Sequence, residues 1–382
     1  MKNGKISDVC SSVYSGGTPN KKHDEYYVGG NIPWLNTSEI KFNRIYVTEK
    51  FITNEGYSAS SAKWVPANTV IVAMYGATAA RVAVSKIPLT TNQACCNLII
   101  DDCKADYRYV YYYLCSRYSQ LAALANGGAQ QNLNAGQIKE FPIALPEIGS
   151  QRKIADILSA LDDKIELNNR INENLSEQIQ AIYGNEFDPT THTPSGVLAD
   201  ICHYSSDRIP VSELSVSTYY STENMQPNKM GSVDATSLPY LTQTTGCHKG
   251  DVLISNIRPY FKKIVYVMDD SCGCSTDVLC FVPKVDQYSA FLFGTLYMDR
   301  FFDYMVAGSK GTKMPRGDKQ QIMKYPVVLP SKESLNLYNG IIVPMLDHIS
   351  SNRIENSKLT ALRDTLLPRL MSGELDVSDI DH

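Results

Sequence analysis

The sequence predicts an α+β chain: two mixed α/β units joined by two long helices that pair as an antiparallel coiled coil, an internal pseudo-twofold repeat. Three observations predict it. Phe141-Pro142-Ile143-Ala144-Leu145-Pro146 recurs 184 residues later as Tyr325-Pro326-Val327-Val328-Leu329-Pro330, and 13 identities join the window 127–175 to its partner. After each copy comes a long amphipathic stretch with a 4-3 apolar spacing. Before each copy lie short β-branched runs bounded by Gly, Pro and Asn, as strands usually are.

Taken in order, the first half opens on the turn-rich Ser15-Gly16-Gly17-Thr18-Pro19. Strands are expected at Thr69–Tyr75, Val82–Val84 and Asn97–Ile100, then a helix over about Tyr107 to Ala125 and the loop Asn126-Gly127-Gly128. The second half repeats that order. Asp251–Ser255, Ile264–Val267 and Asp277–Val282 read as strands, Tyr288 to Val306 as a helix, and Gly308-Ser309-Lys310-Gly311 as the closing loop.

The helices carry the sharpest pattern. Ile154, Leu158, Leu161, Ile165, Asn168, Asn172, Leu175, Ile179 and Ile182 form one seam. Tyr338, Ile342, Met345, Ile349, Asn352, Asn356, Leu359, Arg363 and Leu366 form the other. Such spacing is a coiled-coil signature. Both seams carry two Asn residues at matching places, and a polar seam residue fixes register when it meets another. Antiparallel pairing would set Asn168 beside Asn356 and Asn172 beside Asn352. Pro344, with no counterpart in the first seam, predicts a kink or a later helix start. Pro368 is expected to stop the second helix and leave the acidic tail loose. The expected divisions are 1–148 and 194–331 for the globular units, 149–184 and 332–368 for the helices, and 369–382 for the tail.

Bulk properties bound the function. The 382 residues exceed one ordinary core, and no apolar run is long enough to span a bilayer. No secretory core follows Met1-Lys2-Asn3-Gly4-Lys5, so the ten irregularly spaced cysteines are expected as free thiols in the cytoplasm. The pairs Cys202-His203 and Cys247-His248 lack further ligands at regular spacing, so no metal is expected. A net charge of −4 argues against a whole-protein basic field but leaves local basic patches open.

No Gly-x-Gly, P-loop or Pro-Pro motif occurs, so cofactor fingerprints and the adenine-methylation motif are missing. Glu39-x-Lys41 is half a nuclease signature without its Pro-Asp. The chain therefore reads as non-catalytic, with no cofactor of its own.

Two segments suit a polyanion. Ser255-Asn256-Ile257-Arg258-Pro259-Tyr260-Phe261-Lys262-Lys263 combines three cations with two aromatics, and Lys310 to Lys319 holds four cations against one acid. From these, Asn256, Arg258, Tyr260, Lys262, Lys263, Lys310, Lys313 and Arg316 are the candidate contacts. Lys and Arg meet phosphates, and Arg forks onto guanine. In the first half the matching loop is amide-rich: Gln130-Gln131-Asn132-Leu133-Asn134 fills the loop homologous to Lys313-Met314-Pro315-Arg316, and its amides either read adenine edges or serve as turn residues. Tyr75, Arg81, Lys21 and Lys22 complete that set. A solvated basic loop is the competing reading of each segment.

With these elements assembled, the chain resembles the specificity subunit of Type I restriction-modification systems. The resemblance rests on Gly250-Asp251-Val252-Leu253-Ile254-Ser255, on Asn256-Ile257-Arg258-Pro259-Tyr260 and on Gly311-Thr312-Lys313-Met314-Pro315-Arg316. It rests also on Pro142–Pro146 leading into Ile154-Ala155-Asp156-Ile157-Leu158, and on Arg363-Asp364-Thr365-Leu366-Leu367-Pro368-Arg369-Leu370. It implies two target-recognition domains, each reading one half of a bipartite double-stranded DNA site. The helices would act as ruler and dock for two methyltransferase subunits, which bring S-adenosylmethionine, while separate restriction subunits cut. A related system whose partner joins methylation and cleavage in one chain stays open. A seam of about 30 residues is roughly 45 Å long, enough to set two readers about one DNA turn apart.

Overall fold

The computed structural model describes residues 2–125 and 132–377. The chain divides into two compact units: Met1–Ile165 with Ser357–His382, and Glu166–Asn356. Each unit therefore owns part of both long helices, so the helices are built into the cores rather than set between them.

The first unit is organised on a five-stranded sheet in the order Cys10–Ser15, Cys95–Ile100, Val70–Ala73, Val82–Ser85, Asn43–Ile45. The second repeats the first four positions with Cys202–Tyr204, Val278–Pro283, Val252–Ser255 and Ile264–Tyr266. Successive strand residues point to opposite faces, and the cores follow that alternation. Val70 and Val72 enter the core under the helices, whereas Ile71 and Ala73 enter a separate cluster with Leu35 and Ile40. In the second unit Val252 and Ile254 face the helices and Leu253 faces Cys247, Cys272 and Cys274. Both faces are covered, which is why these strands read as unbroken apolar runs.

Each unit adds a second four-stranded sheet and a two-stranded closure. Lys2–Lys5 pairs with Pro142–Leu145, and Gly196–Val197 pairs with Pro326–Val327. The duplicated Pro-containing segment is thus the strand that closes each unit before its long helix departs.

The single helices expected at Tyr107–Ala125 and Tyr288–Val306 are each two helices. Tyr107–Ser116 and Tyr118–Ala123 break at Arg117, while Ser289–Tyr297 and Asp299–Ala307 break at Met298, whose ψ of 139° is extended. The break lets both pieces bury an apolar face on one curved sheet: Phe291, Leu296, Phe301 and Phe302 share a core.

The long helices run Ile148–Phe187 and Lys332–Ser372. In the second unit Asn168, Asn172 and Tyr183 meet Asn356, Asn352 and Tyr338 respectively, so the pairing is antiparallel. Asn352 Nδ2 donates to Asn172 Oδ1 at 2.9 Å, and Asn168 Nδ2 donates to Asn356 Oδ1 at 2.9 Å and to Glu355 at 2.7 Å. In the first unit Arg363 bonds Asp162 at 2.9 Å, and the same carboxylate accepts from the Tyr112 hydroxyl at 2.6 Å.

The second helix begins at Lys332, so Pro344 does not delay its start, and it continues beyond Pro368 to Ser372, which corrects the expected stop. Each proline removes one backbone bond, at a cost of about 3 kcal/mol, but both face outward where solvent reaches the orphaned carbonyl. Beyond Pro368, Leu370, Met371 and Val377 are buried in the core of the first unit. Of the tail Gly373 to His382, expected to be loose, Gly373, Glu374 and Asp376 are exposed while Val377 is anchored in that core; 378–382 lie outside the described residues.

Candidate nucleic-acid interface

The two basic segments of the second unit fold against one another. Strand Val252–Ser255 ends in a tight turn, where Arg258 accepts from Phe261 N at 2.9 Å. Its flanks, Arg258 and Lys262, have φ of 50° and 51°, a left-handed conformation that non-glycine residues adopt only when held. The loop Lys310–Lys319 returns alongside. Ile257 and Lys310 each form a β-bridge with Arg316, and Arg258 N donates to Pro315 O at 2.8 Å. Gly317 N reaches Asn256 O at 3.3 Å, and a Cβ on Gly317 would stand 2.8 Å from Asn256 Oδ1. Only glycine permits that approach. Asp318 ends the loop by capping helix Lys319–Ile322.

The same frame recurs in the first unit with other side chains. Val70–Ala73 leads to a turn in which Gly76 and Ala80 have φ of 70° and 68°, and Gly76 accepts from Ala79 N at 3.0 Å. Tyr75 forms a β-bridge with Asn132, Leu133 N donates to Met74 O at 2.7 Å, and Asn134 caps the helix Ala135–Lys139. Gly76 corresponds to Arg258, Ala80 to Lys262, Arg81 to Lys263 and Asn132 to Arg316. Both units thus join the turn after one central strand to the loop that caps a short helix.

The predicted residues separate by environment. Tyr75 and Asn132 are exposed and together, with half-buried Arg81 at the end of the same turn. Lys21 and Lys22 are exposed in another loop, whose Gly16 and Gly17 pack on Thr91 and Ser61. Gln130 and Gln131 lie outside the described residues. In the second unit Tyr260 and Lys313 are exposed, beside exposed Phe261 and Met314. The Tyr260 and Phe261 rings lie 4.7 Å apart.

Several cations already have acid partners. Arg316 meets Asp277 at 2.9 Å, Lys310 meets Asp318 at 2.7 Å, and Lys262 meets Asp299 at 3.0 Å. The hydrogen bond from Lys310 holds the Asp318 carboxyl below its ordinary range, and Asp318 in turn raises Lys310. Lys263 turns inward and donates to Thr222 O at 2.5 Å, and burial lowers its pKa. Two candidates are less open than the exposed ones. Asn256 is buried with its side-chain oxygen unpartnered against Gly317, and Arg258 is half-buried with its Nε unpartnered. Both shape the turn, and only the outer part of the Arg258 guanidinium is left to meet a ligand.

Sequence reasoning missed the acids Asp277 and Asp299 and the turn Pro227-Asn228-Lys229, which packs on the basic turn. Its Pro-Asn start is a turn signal, but nothing in the chain order ties it to residues 258–263. Glu39, half of the apparent nuclease signature, is buried and accepts from the backbone N–H groups of Asn36 and Glu49, at 3.0 and 2.8 Å. It is a structural carboxylate. Among the described residues no cluster of three or more His, Cys, Asp or Glu could hold a metal, and no helix is long and apolar enough to cross a membrane.

Residues 1–177 match the family model described as Type I restriction modification DNA specificity domain. That match covers 177 of the 382 residues, so the first part of the chain is similar to a Type I specificity domain. The chain is similar to the Type I restriction enzyme MjaIX specificity subunit of Methanocaldococcus jannaschii, with 24% identity over 98% of this chain and 94% of that one. It is also similar to the EcoR124I/EcoR124II specificity subunit of Escherichia coli, with 31% identity over 172 residues, 44% of this chain and 42% of that one. Among solved structures, the Type-I restriction-modification system S subunit from M. genitalium shares the fold. Its TM-score is 0.58 at 18% identity, covering 97% of this chain and 95% of that one.

Proposed function

We propose that this chain reads a bipartite duplex, one half-site per unit, and contributes no catalytic group of its own. The observation that carries this reading is the recurrence of one loop frame with different side chains. Tyr75 and Asn132 occupy in the first unit the places of Ile257 and Arg316 in the second. A shared frame sets the same approach to the groove, and unlike side chains select unlike bases.

The long helices fix the separation of the two readers and dock two methyltransferase subunits, which carry S-adenosylmethionine. Restriction subunits join that assembly in the cytoplasm. Exposed Leu337, Ile341 and Ile354 on the second helix give such subunits apolar surface to cover.

The test uses the full chain assembled with its methyltransferase partner. Methylated adenines mapped in DNA from cells carrying both should lie in a split motif with a constant spacer. Binding to that duplex should fall steeply with salt and collapse when the spacer is changed by two base pairs. Methylation at a continuous motif, or equal binding at every spacer length, refutes the two-reader scheme.

A further inference from the structure

Two loops of the second unit hold a disfavoured backbone conformation, and one carboxylate ties them together. Asn228 and Lys229 have φ of 56° and 63°, while Arg258 and Lys262 have φ of 50° and 51°. Left-handed φ at four non-glycine residues in two touching loops persists only where the surroundings over-determine it. The backbones meet directly: Asn228 N donates to Phe261 O at 2.8 Å, and Lys229 N to Lys262 O at 2.9 Å.

Their side chains then converge on Asp299, the first residue of helix Asp299–Ala307. Lys229 Nζ lies 2.6 Å and Lys262 Nζ 3.0 Å from the same carboxylate oxygen. The Lys229 side chain is 8% exposed, and its ammonium sits 4.7 Å from the centre of the Tyr297 ring. It has no route to a ligand. The other end of this loop is fixed at Gly231, with φ of 82°, where a Cβ would stand 2.7 Å from the Arg353 guanidinium carbon. In the first unit the corresponding turn needs less support, because Gly76 stands where Arg258 does.

We propose that Asp299 is a positioning residue for DNA reading: it clamps both loops so that Arg258 and Tyr260 are presented in one fixed arrangement. The inference rests on the reading that the second unit contacts DNA. It goes further in assigning an acid, on a surface that meets a polyanion, a favourable role in recognition.

Charge and position predict opposite outcomes. If Asp299 acts only as a nearby negative charge, Asp299→Asn tightens DNA binding and Lys229→Met weakens it, each alike on all sequences. If it is a clamp, both substitutions weaken recognition of the second half-site, though they change the net charge in opposite directions.

The experiment compares wild type, Asp299→Asn, Lys229→Met and Asp299→Glu in the full chain assembled with its methyltransferase partner. Three duplexes are used: the mapped site, the site with its first half scrambled, and the site with its second half scrambled. The clamp predicts that both Asp299→Asn and Lys229→Met lose about five- to hundredfold of discrimination at the second half-site, the range of a lost base contact. The first half-site is untouched and Asp299→Glu restores part of the loss. Opposite shifts for the two variants, or discrimination within twofold of wild type in both, overturns the clamp alone. A wild-type complex that binds all three duplexes alike overturns the two-reader scheme and the clamp with it.

Discussion

The paired Asn layer in the second unit makes a quantitative prediction. Asn172 and Asn352 are 9% and 6% exposed, and Asn352 Nδ2 donates to Asn172 Oδ1 at 2.9 Å. Replacing Asn352 with Leu leaves Asn172 Oδ1 facing an apolar neighbour. An unsatisfied buried acceptor costs about 1–3 kcal/mol, part of which the new leucine offsets by its own burial. The single variant should therefore be destabilised by about 1–2 kcal/mol, as should Asn172→Leu. In the double variant no donor or acceptor is stranded, and each leucine contributes about 1.5–3 kcal/mol of burial. It should be at least as stable as wild type, so the coupling energy of the cycle is at least about 2 kcal/mol. Denaturant unfolding, with hydrogen exchange over residues 166–187 and 332–356, measures all four proteins. Additive singles, or singles within about 0.5 kcal/mol of wild type, would refute the reasoning, because they mean that the two amides do not depend on each other.

The remaining predictions concern the same helices and loops. Pro368→Ala restores the backbone bond to Asp364 on an exposed helix face and should raise stability by about 1–2 kcal/mol in thermal unfolding, net of the freer unfolded chain. Arg363→Met strands the half-buried Asp162 carboxylate and should destabilise the first unit by about 1–3 kcal/mol. For Asp299, burial pushes the carboxyl up, but Lys229 and Lys262 together outweigh it and hold the pKa below the ordinary 3.8. A depressed folded value gives stability that is present above the unfolded pKa and lost as pH falls through the folded one. The stability gap between wild type and Asp299→Asn should accordingly be constant well above the ordinary 3.8 and narrow as pH falls below it, as acid titrations followed by circular dichroism would show. Asn132→Ala should weaken only the first half-site, whereas Lys313→Ala should weaken all duplexes and flatten the salt dependence by about one charge.

What was legible in the sequence was whatever repeats or alternates. The 4-3 spacing located both long helices to within a few residues, since a seam must keep period to stay buried, and the matched Asn positions located their meeting points. The strands Val70–Ala73 and Val252–Ser255 were legible because both faces are covered. The broken helices at Arg117 and Met298 were not, because neither Ser116-Arg117-Tyr118 nor Tyr297-Met298-Asp299 holds the Gly or Pro that usually marks a break. The run through Pro368 was illegible for a different reason. Local propensity argues for a stop, and only packing of Leu370 and Met371 on residues more than 200 positions earlier overrides it. In the candidate interface, the basic loops were readable as charge. Two of their acid partners were not, since Asp277 and Asp299 lie outside those loops in sequence and gain meaning from adjacency.

On the proposed reading of DNA, that adjacency reconciles basic loops with a net charge of −4. A loop of free lysines would bind any duplex, because phosphate contacts carry no sequence information. Arg316 instead stands 2.9 Å from Asp277, with its side chain 57% exposed. A pair so exposed is worth about 0–1 kcal/mol, so a ligand can draw Arg316 away at little cost, while the Asp277 carboxylate repels a phosphate and not a neutral guanine edge. The acid therefore suppresses non-specific binding more than specific binding. Asp277→Asn should strengthen binding to scrambled duplexes several-fold, leave binding to the true site nearly unchanged, and so lower the ratio between them, as competition titrations at fixed salt would measure. It differs in sign from Asp299→Asn, which should lose the true site itself. If Asp277→Asn instead weakens the true site and spares the scrambled one, the ion pair positions Arg316 rather than screening it, and suppression of non-specific binding does not explain the low net charge.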